Sequence, residues 1–215
     1  GTAMDESITA DDTGNAMVGG AGRDSLDALA GNDILAGGMG NDDLFGATGQ
    51  DVYLINATDL NNSWDWLSEN TGAALPAETD TLSFGGGLAP GDVTAWLSHY
   101  DNGDGTYNDY LTLFFANHGN SRLEIDWQSV VWNDAGTALV SIDARIERLQ
   151  FLGNGNDRVY NLAGLILARY NELTTATEAS PIALFRPADL TTFDITATAG
   201  FAGGEYAQNY ANNGI

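Results

Sequence analysis

Apolar and polar positions follow a nine-residue period between residues 19 and 54. Each unit has glycine at its fourth position, aspartate at its sixth and an apolar side chain at its eighth. These positions hold Gly22, Gly31, Gly40 and Gly49, then Asp24, Asp33, Asp42 and Asp51, then Leu26, Leu35, Leu44 and Tyr53. Glycines at the start of a unit predict a tight turn, and the residues after the aspartate predict a short strand with one inward side chain. The pattern predicts a flattened solenoid with two units in each coil.

Stacking of a unit on its second neighbour brings aspartates together. Asp24 is expected above Asp42, and Asp33 above Asp51, at the ~4.8 Å spacing of adjacent strands. Two carboxylates at that distance repel by about 3 kcal/mol at an effective dielectric near 20, whereas burial of a leucine contributes about 1.5–3 kcal/mol. A cation is therefore needed between them, and Ca²⁺ suits a site of carboxylate and carbonyl oxygens. Metal binding and folding of the solenoid are then one event.

The two units before residue 19 are predicted to be degenerate opening coils, which makes residues 1–54 one segment. Glu6 and Asn15 stand where the aspartate is expected, and Ile8 and Met17 stand at the apolar position. Asp11 and Asp12 are near enough in sequence to replace the missing carboxylate of the second unit.

Longer alternating segments after residue 54 predict a mostly antiparallel β region over residues 55–172. The predicted strands cover residues 81–84, 93–97, 110–116, 122–127, 138–142 and 145–151. Residues 161–173 have helical apolar spacing with Asn161 as the capping residue. Residues 191–198 suggest a late strand, within a 173–215 extension of uncertain structure.

The charge balance restricts the partners of the chain. Thirty acidic residues oppose seven basic ones, for a net charge of -23, so nucleic acid and anionic lipid are repelled and divalent cations are attracted. The absence of cysteine fits an extracellular protein that calcium stabilises in place of disulfides. Cytosolic calcium is too scarce for sites of this kind, so we expect a secreted or cell-surface location. No apolar run approaches the ~20 residues of a transmembrane helix.

The repeat G-G-x-G-x-D-x-U-x is that of RTX, or haemolysin-type, calcium-binding proteins, and the chain resembles this family over about residues 10–172. The resemblance extends to the segments 80–84, 91–94, 110–113, 123–127, 145–151 and 159–163. It implies a parallel β-roll capped by a mostly antiparallel β region with one short helix. Residues 173–215 have no counterpart in the family, which suggests part of a larger polypeptide.

The resemblance also implies the carbonyl ligands of each calcium ion. They come from positions two and four of one unit and one and three of its second neighbour. They are Gly20, Gly22, Gly37 and Met39 for the Asp24–Asp42 ion, and Leu29, Gly31, Gly46 and Thr48 for the Asp33–Asp51 ion. Residues 28, 29 and 47 depart from the family pattern because they are not glycine.

Two functions remain open at this point. The first is a calcium-dependent folding and stabilising module of a secreted bacterial protein, which folds after passage through a secretion channel. The second is a glycan- or peptide-binding module of a large RTX adhesin or carbohydrate-active enzyme, with Trp64 and Trp66 as the exposed pair and Trp127 in the core. We expect no enzymatic activity, because the chain has two histidines, no cysteine, and no H-E-x-x-H or G-x-S-x-G motif.

Overall fold

The computed structural model describes residues 1–69, 79–101, 107–127, 130–132, 139–142, 146–152 and 157–196. Two sheets face each other across the core. The first contains, in order, β1 (Ser7–Thr9), β3 (Ser25–Asp27), β5 (Asp43–Phe45), β7 (Trp64–Ser68), β11 (Arg122–Trp127), β10 (Tyr107–Phe115), β9 (Val93–Asp101) and β16 (Ile182–Ala183). The second contains β15 (Arg158–Asn161), β14 (Arg148–Phe151), β8 (Thr81–Gly85), β6 (Val52–Asn56), β4 (Ile34–Gly40) and β2 (Ala16–Gly22). The strands β12 (Val130–Trp132) and β13 (Leu139–Ile142) form a separate pair.

The nine-residue units form the predicted parallel β-roll. Strand β3 pairs with β5 so that Leu26 lies beside Leu44, and β4 pairs with β6 so that Leu35 lies beside Tyr53. All four side chains are fully buried between the two sheets. The first unit also belongs to the roll, because β1 pairs with β3 and places Ile8 beside Leu26.

The parallel coil continues past the last repeat. Strand β7 pairs with β5 and β8 pairs with β6, which places Leu67 beside Leu44 and Leu82 beside Tyr53. Strands β11 and β14 then add in parallel to β7 and β8. The residue separation between stacked positions is 18 within the repeats, and it rises to 23 where β7 follows β5 and to 29 where β8 follows β6. The solenoid therefore persists while its sequence period is lost.

Antiparallel strands and the predicted helix lie beyond the parallel coils. Strands β9, β10 and β11 are antiparallel neighbours, and β14 pairs antiparallel with β15. Helix α1 (Leu162–Thr175) begins at Asn161, whose Oδ1 accepts a hydrogen bond from the Gly164 N–H at 2.9 Å. Its buried apolar side chains belong to the same core as those of the repeats, which runs from Met17 to Phe185. The fold class predicted from the sequence is confirmed.

The prediction of a late strand over residues 191–198 is wrong at its first two residues. Residues Asp189–Thr192 form the short helix α2, although Thr191 and Thr192 are β-branched. The Arg186 N–H donates to Asp189 Oδ2 at 2.7 Å, and the Thr192 hydroxyl donates to the Ala188 carbonyl at 3.0 Å. These local bonds favour a helical turn over an extended strand.

Some sequence predictions concern residues outside the described ranges. They are the turns around 102–106 and 153–156, the side chain of Trp127, and the extension beyond residue 196. A short 3-10 helix (Pro90–Asp92) precedes β9. Of the helices in the described part of the chain, none has the length and apolar content needed to span a bilayer.

Candidate metal centre

A ladder of carboxylates crosses the turns on one edge of the roll. The backbone N–H of Glu6 donates to Asp24 Oδ1 at 2.9 Å, and that of Asp24 donates to Asp42 Oδ1 at 2.9 Å. The next step leaves the repeats, since the Asp42 N–H donates to Asp65 Oδ1 at 3.1 Å. Each coil therefore uses one carboxylate oxygen to bind the backbone of the coil before it.

A second ladder crosses the turns on the opposite edge. It begins with the Asn15 N–H, which donates to Asp33 Oδ1 at 2.6 Å, and continues from the Asp33 N–H to Asp51 Oδ1 at 2.8 Å. The Asp51 N–H donates to Asp80 Oδ1 at 2.7 Å, and the Asp80 N–H donates to Glu147 Oε2 at 2.8 Å. Asn15 thus takes the ladder position in the second unit. Asp11, a suggested replacement, accepts hydrogen bonds from the Thr13 hydroxyl and from the Asn15 side chain.

The second carboxylate oxygens of the repeats are left for another partner. Asp24, Asp33 and Asp42 are at most 1% exposed. The Oδ2 atom of each is buried, and no donor reaches it from the described part of the chain. A buried carboxylate oxygen without a donor is costly, and a cation removes that cost. This arrangement has the chemistry of a calcium site.

Burial raises the pKa values of several ladder acids. Burial raises the pKa of Asp33 above its ordinary value and that of Asp42 to about 6. It raises the pKa of Asp65 to about 8, and the negative charges of Asp42 and Asp59 act in the same direction. These carboxylates are disfavoured as anions until a positive charge is placed among them.

At the Asp24–Asp42 site, the carbonyl oxygen of Gly37 and a carboxylate oxygen of Asp24 lie close together. A Cβ atom built on Gly19 would lie 2.5 Å from both Asp24 Oδ2 and the carbonyl oxygen of Gly37, so these two oxygens face one small space. Gly37 is one of the predicted ligands. The other three lie on the same paired strands, with Gly20 and Gly22 in β2 and Met39 in β4.

The Asp33–Asp51 site retains the turn geometry without all the glycines. Leu29 has a φ of 68° at the position where the pattern expects glycine. Its carbonyl accepts from the Thr48 N–H at 3.0 Å, and the Thr48 carbonyl accepts from the Gly31 N–H at 2.9 Å. Each carbonyl oxygen still has a second lone pair for a metal. Gly46 lies against Asp51, since a Cβ atom there would be 2.5 Å from Oδ2.

Residues after the repeats extend this chemistry, and the sequence analysis missed them. Ligand atoms of the buried residues Asp51, Glu69 and Asp80 lie within 4.8 Å of one another. The Tyr53 hydroxyl donates to Glu69, and burial raises the pKa of Glu69 well above its ordinary value. This group could hold a further cation where the roll joins the following strands.

A signal for the missed ladder residues is present in the sequence. In the repeats the acid precedes the buried apolar residue by two positions, as in Asp24-Ser25-Leu26. The same spacing occurs in three triplets after the repeats, namely Asp65-Trp66-Leu67, Asp80-Thr81-Leu82 and Glu147-Arg148-Leu149. Glu69 has no such signal, because it follows strand β7 outside any triplet.

Comparison with known proteins identifies the repeats. Residues 18–53 match the RTX calcium-binding nonapeptide repeat in four copies, so the chain carries calcium-binding repeats of this kind, as the resemblance predicted. No curated protein matches the chain. A solved structure similar to it is the solution structure of the AlgE6R3 subunit from the Azotobacter vinelandii mannuronan C5-epimerase. The two share 22% identity at a TM-score of 0.40, over 65% of this chain and 76% of that one.

Proposed function

We propose that this chain is a calcium-dependent folding and stabilising module of a secreted or cell-surface protein, as one part of a larger polypeptide. The observation that carries the proposal is the set of buried Oδ2 atoms of Asp24, Asp33 and Asp42, which no donor reaches from the described residues. Structural Ca²⁺ between the stacked repeats supplies their missing partner. The ladder acids then act as ligands, and we expect no enzymatic activity of the module itself.

Linkage between calcium binding and folding makes the stability of the module depend on the calcium concentration. Free calcium at about 100 times its dissociation constant adds about 2.7 kcal/mol per site to the folded state. At low calcium the repulsion among the ladder acids opposes folding, and the chain stays extended enough to pass through a secretion channel. In millimolar extracellular calcium the same acids hold the coils together.

A calcium titration of the folded state tests this proposal. Circular dichroism and thermal unfolding are measured in millimolar calcium, in the same concentration of magnesium, and in excess EGTA. We expect a cooperative transition in calcium and its loss in EGTA, with magnesium unable to replace calcium because it demands a tighter octahedral site. A chain that keeps its cooperative transition in EGTA contradicts the proposal.

A second candidate function is ligand binding by the strands next to the roll. Trp64 is 46% exposed, and it lines a groove with Trp66, Arg23, Asn41 and Asp43. An exposed aromatic surface beside hydrogen-bonding groups favours a glycan or peptide ligand. Fluorescence titration of the calcium-loaded protein with candidate ligands tests for binding, which should quench the tryptophan emission.

A further inference from the structure

The Trp64 groove has a volume of about 310 Å³. It is lined by Arg23, Asn41, Asp43, Trp64 and Trp66. This volume is at the small end of ligand sites in proteins. Two of its five residues are aromatic, and the other three carry hydrogen-bonding groups. The groove therefore has both a stacking surface and polar groups with which to fix a ligand in one orientation.

The groove is built on the reverse side of a carboxylate ladder. Asp42 and Asp65 are buried in the ladder, and their sequence neighbours Asn41, Asp43, Trp64 and Trp66 all line the groove. Alternation of side chains along β7 explains why Trp64 and Trp66 lie opposite Asp65, whereas Asn41 and Asp42 directly precede β5. The register of β5 and β7 places Asp43 beside Trp66.

Further contacts fix the two tryptophans. The backbone N–H of Trp64 donates to Asn41 Oδ1 at 2.9 Å, and the Arg122 guanidinium lies over the Trp64 ring, 3.9 Å from its centroid. The Trp66 ring packs at 5.5 Å from the ring of Tyr110. The stacking surface is thus held in place before any ligand arrives, which reduces the entropy lost on binding.

The charges around the groove favour an uncharged ligand. The Arg23 guanidinium pairs with Asp43 at 2.9 Å, and that of Arg122 pairs with Glu178. Each arginine charge is therefore already balanced, in a chain whose net charge is -23. A ligand with hydroxyl groups can accept from Arg23 and donate to Asp43 without bringing a charge of its own.

The position of the groove within the sheet disfavours an extended peptide. Peptides that bind by strand addition need an unpaired sheet edge. Strands β5 and β7 are paired with each other, and β3 and β11 flank them on either side. The groove thus lies on a sheet face, where the apolar C–H face of a sugar ring can stack on an aromatic side chain.

We propose that the Trp64 groove binds a neutral hexopyranose unit of a glycan. This inference rests on the second candidate function above, and it names the ligand class of that site. Because Asp42 and Asp65 join the groove to the ladder, binding also requires the calcium-loaded roll.

The test is a titration of the calcium-loaded full chain by tryptophan fluorescence and calorimetry. The probes are neutral cello-, manno- and galacto-trisaccharides, a triuronate of the same length, and a random heptapeptide library. We expect saturable binding of at least one neutral trisaccharide, a loss of at least roughly tenfold in affinity in Trp64→Ala, and no binding in EGTA. Tyr100→Ala is the matched control, because Tyr100 is 67% exposed and is not among the groove residues.

Each other result overturns part of the proposal. Trp64-dependent binding of the triuronate or of peptides alone overturns the neutral sugar and leaves the second candidate function standing. Binding that is equal in Trp64→Ala and Tyr100→Ala overturns the location. If no probe binds the calcium-loaded chain, both the inference and the second candidate function fail. Unfolding curves in calcium establish that Trp64→Ala is folded.

Discussion

The Asp24 N–H donates a 2.9 Å hydrogen bond to Asp42 Oδ1, 18 residues further along the chain. The other oxygen of Asp42 is buried, and no donor within the described ranges reaches it. One carboxylate thus has two separate tasks, since Oδ1 sets the stacking of the coils and Oδ2 remains for a cation. Loss of this side chain should therefore weaken both stacking and calcium binding.

Asp42→Ala is expected to raise the calcium concentration at the folding midpoint by about tenfold or more. The substitution removes a ligand and leaves the Asp24 N–H without its partner, and an unmade buried bond costs about 1–3 kcal/mol. Calcium titration followed by circular dichroism measures the midpoint. The control is Asp12→Ala, which removes an exposed carboxylate near the opening coils. Equal midpoints for the two variants would contradict the assignment of Asp42 as a ligand.

Residues beyond the repeats are expected to contribute to calcium binding. Asp65→Asn keeps an oxygen acceptor for the Asp42 N–H but removes a negative charge from the end of the first ladder. We expect the calcium concentration at the folding midpoint to rise severalfold. The shape of the far-ultraviolet spectrum of the folded protein should change little. Asp59→Asn is the control, since Asp59 is half-buried, the amide keeps an oxygen for the Asn56 N–H, and Asp59 acts on Asp65 only through its charge. A midpoint unchanged by Asp65→Asn would confine the calcium sites to the repeats.

The calcium-free chain should gain structure as the pH falls. Burial raises the pKa of Asp42 to about 6 and that of Asp65 to about 8, both above the ordinary value of 3.8. Between pH 4 and 8 the folded state therefore binds more protons than the unfolded state, so its stability rises as the pH is lowered. The check is β-sheet content by circular dichroism from pH 8.5 to pH 5, on protein freed of calcium by dialysis.

The double variant Asp42→Asn/Asp65→Asn serves as the control for this pH effect. It lacks both titrating groups, so its calcium-free β-sheet content should depend less on pH than that of the parent chain. A calcium-free parent chain that instead loses structure on acidification would contradict the raised pKa values of Asp42 and Asp65 in the folded state.

The sequence predicts the roll because its period is regular and each unit buries one apolar side chain. It also predicts helix α1, since Asn161 caps it and the apolar spacing is helical. The continued solenoid is hidden because insertions change the stacking separation from 18 to 23 in one ladder and from 18 to 29 in the other. A search for a fixed period fails there, whereas the acid-x-apolar triplets at Asp65 and Asp80 persist. Glu69 reaches its site only through tertiary packing, so no local pattern reveals it.

The close stacking of the coils leaves no room for an added methyl group at Gly40. Its φ is 136°, which L side chains rarely adopt, and a Cβ atom would collide with the carbonyl oxygen of Gly22 on the stacked coil. Since the obstacle is backbone, no side chain can move aside. Gly40→Ala should lower the free energy of unfolding by about 1–3 kcal/mol from the strained φ alone, with more from the collision. Gly91→Ala should be nearly neutral, because nothing lies within 4 Å of its added Cβ. Urea unfolding in saturating calcium compares the two variants, and equal stability would mean that the coils are further apart than in this structure.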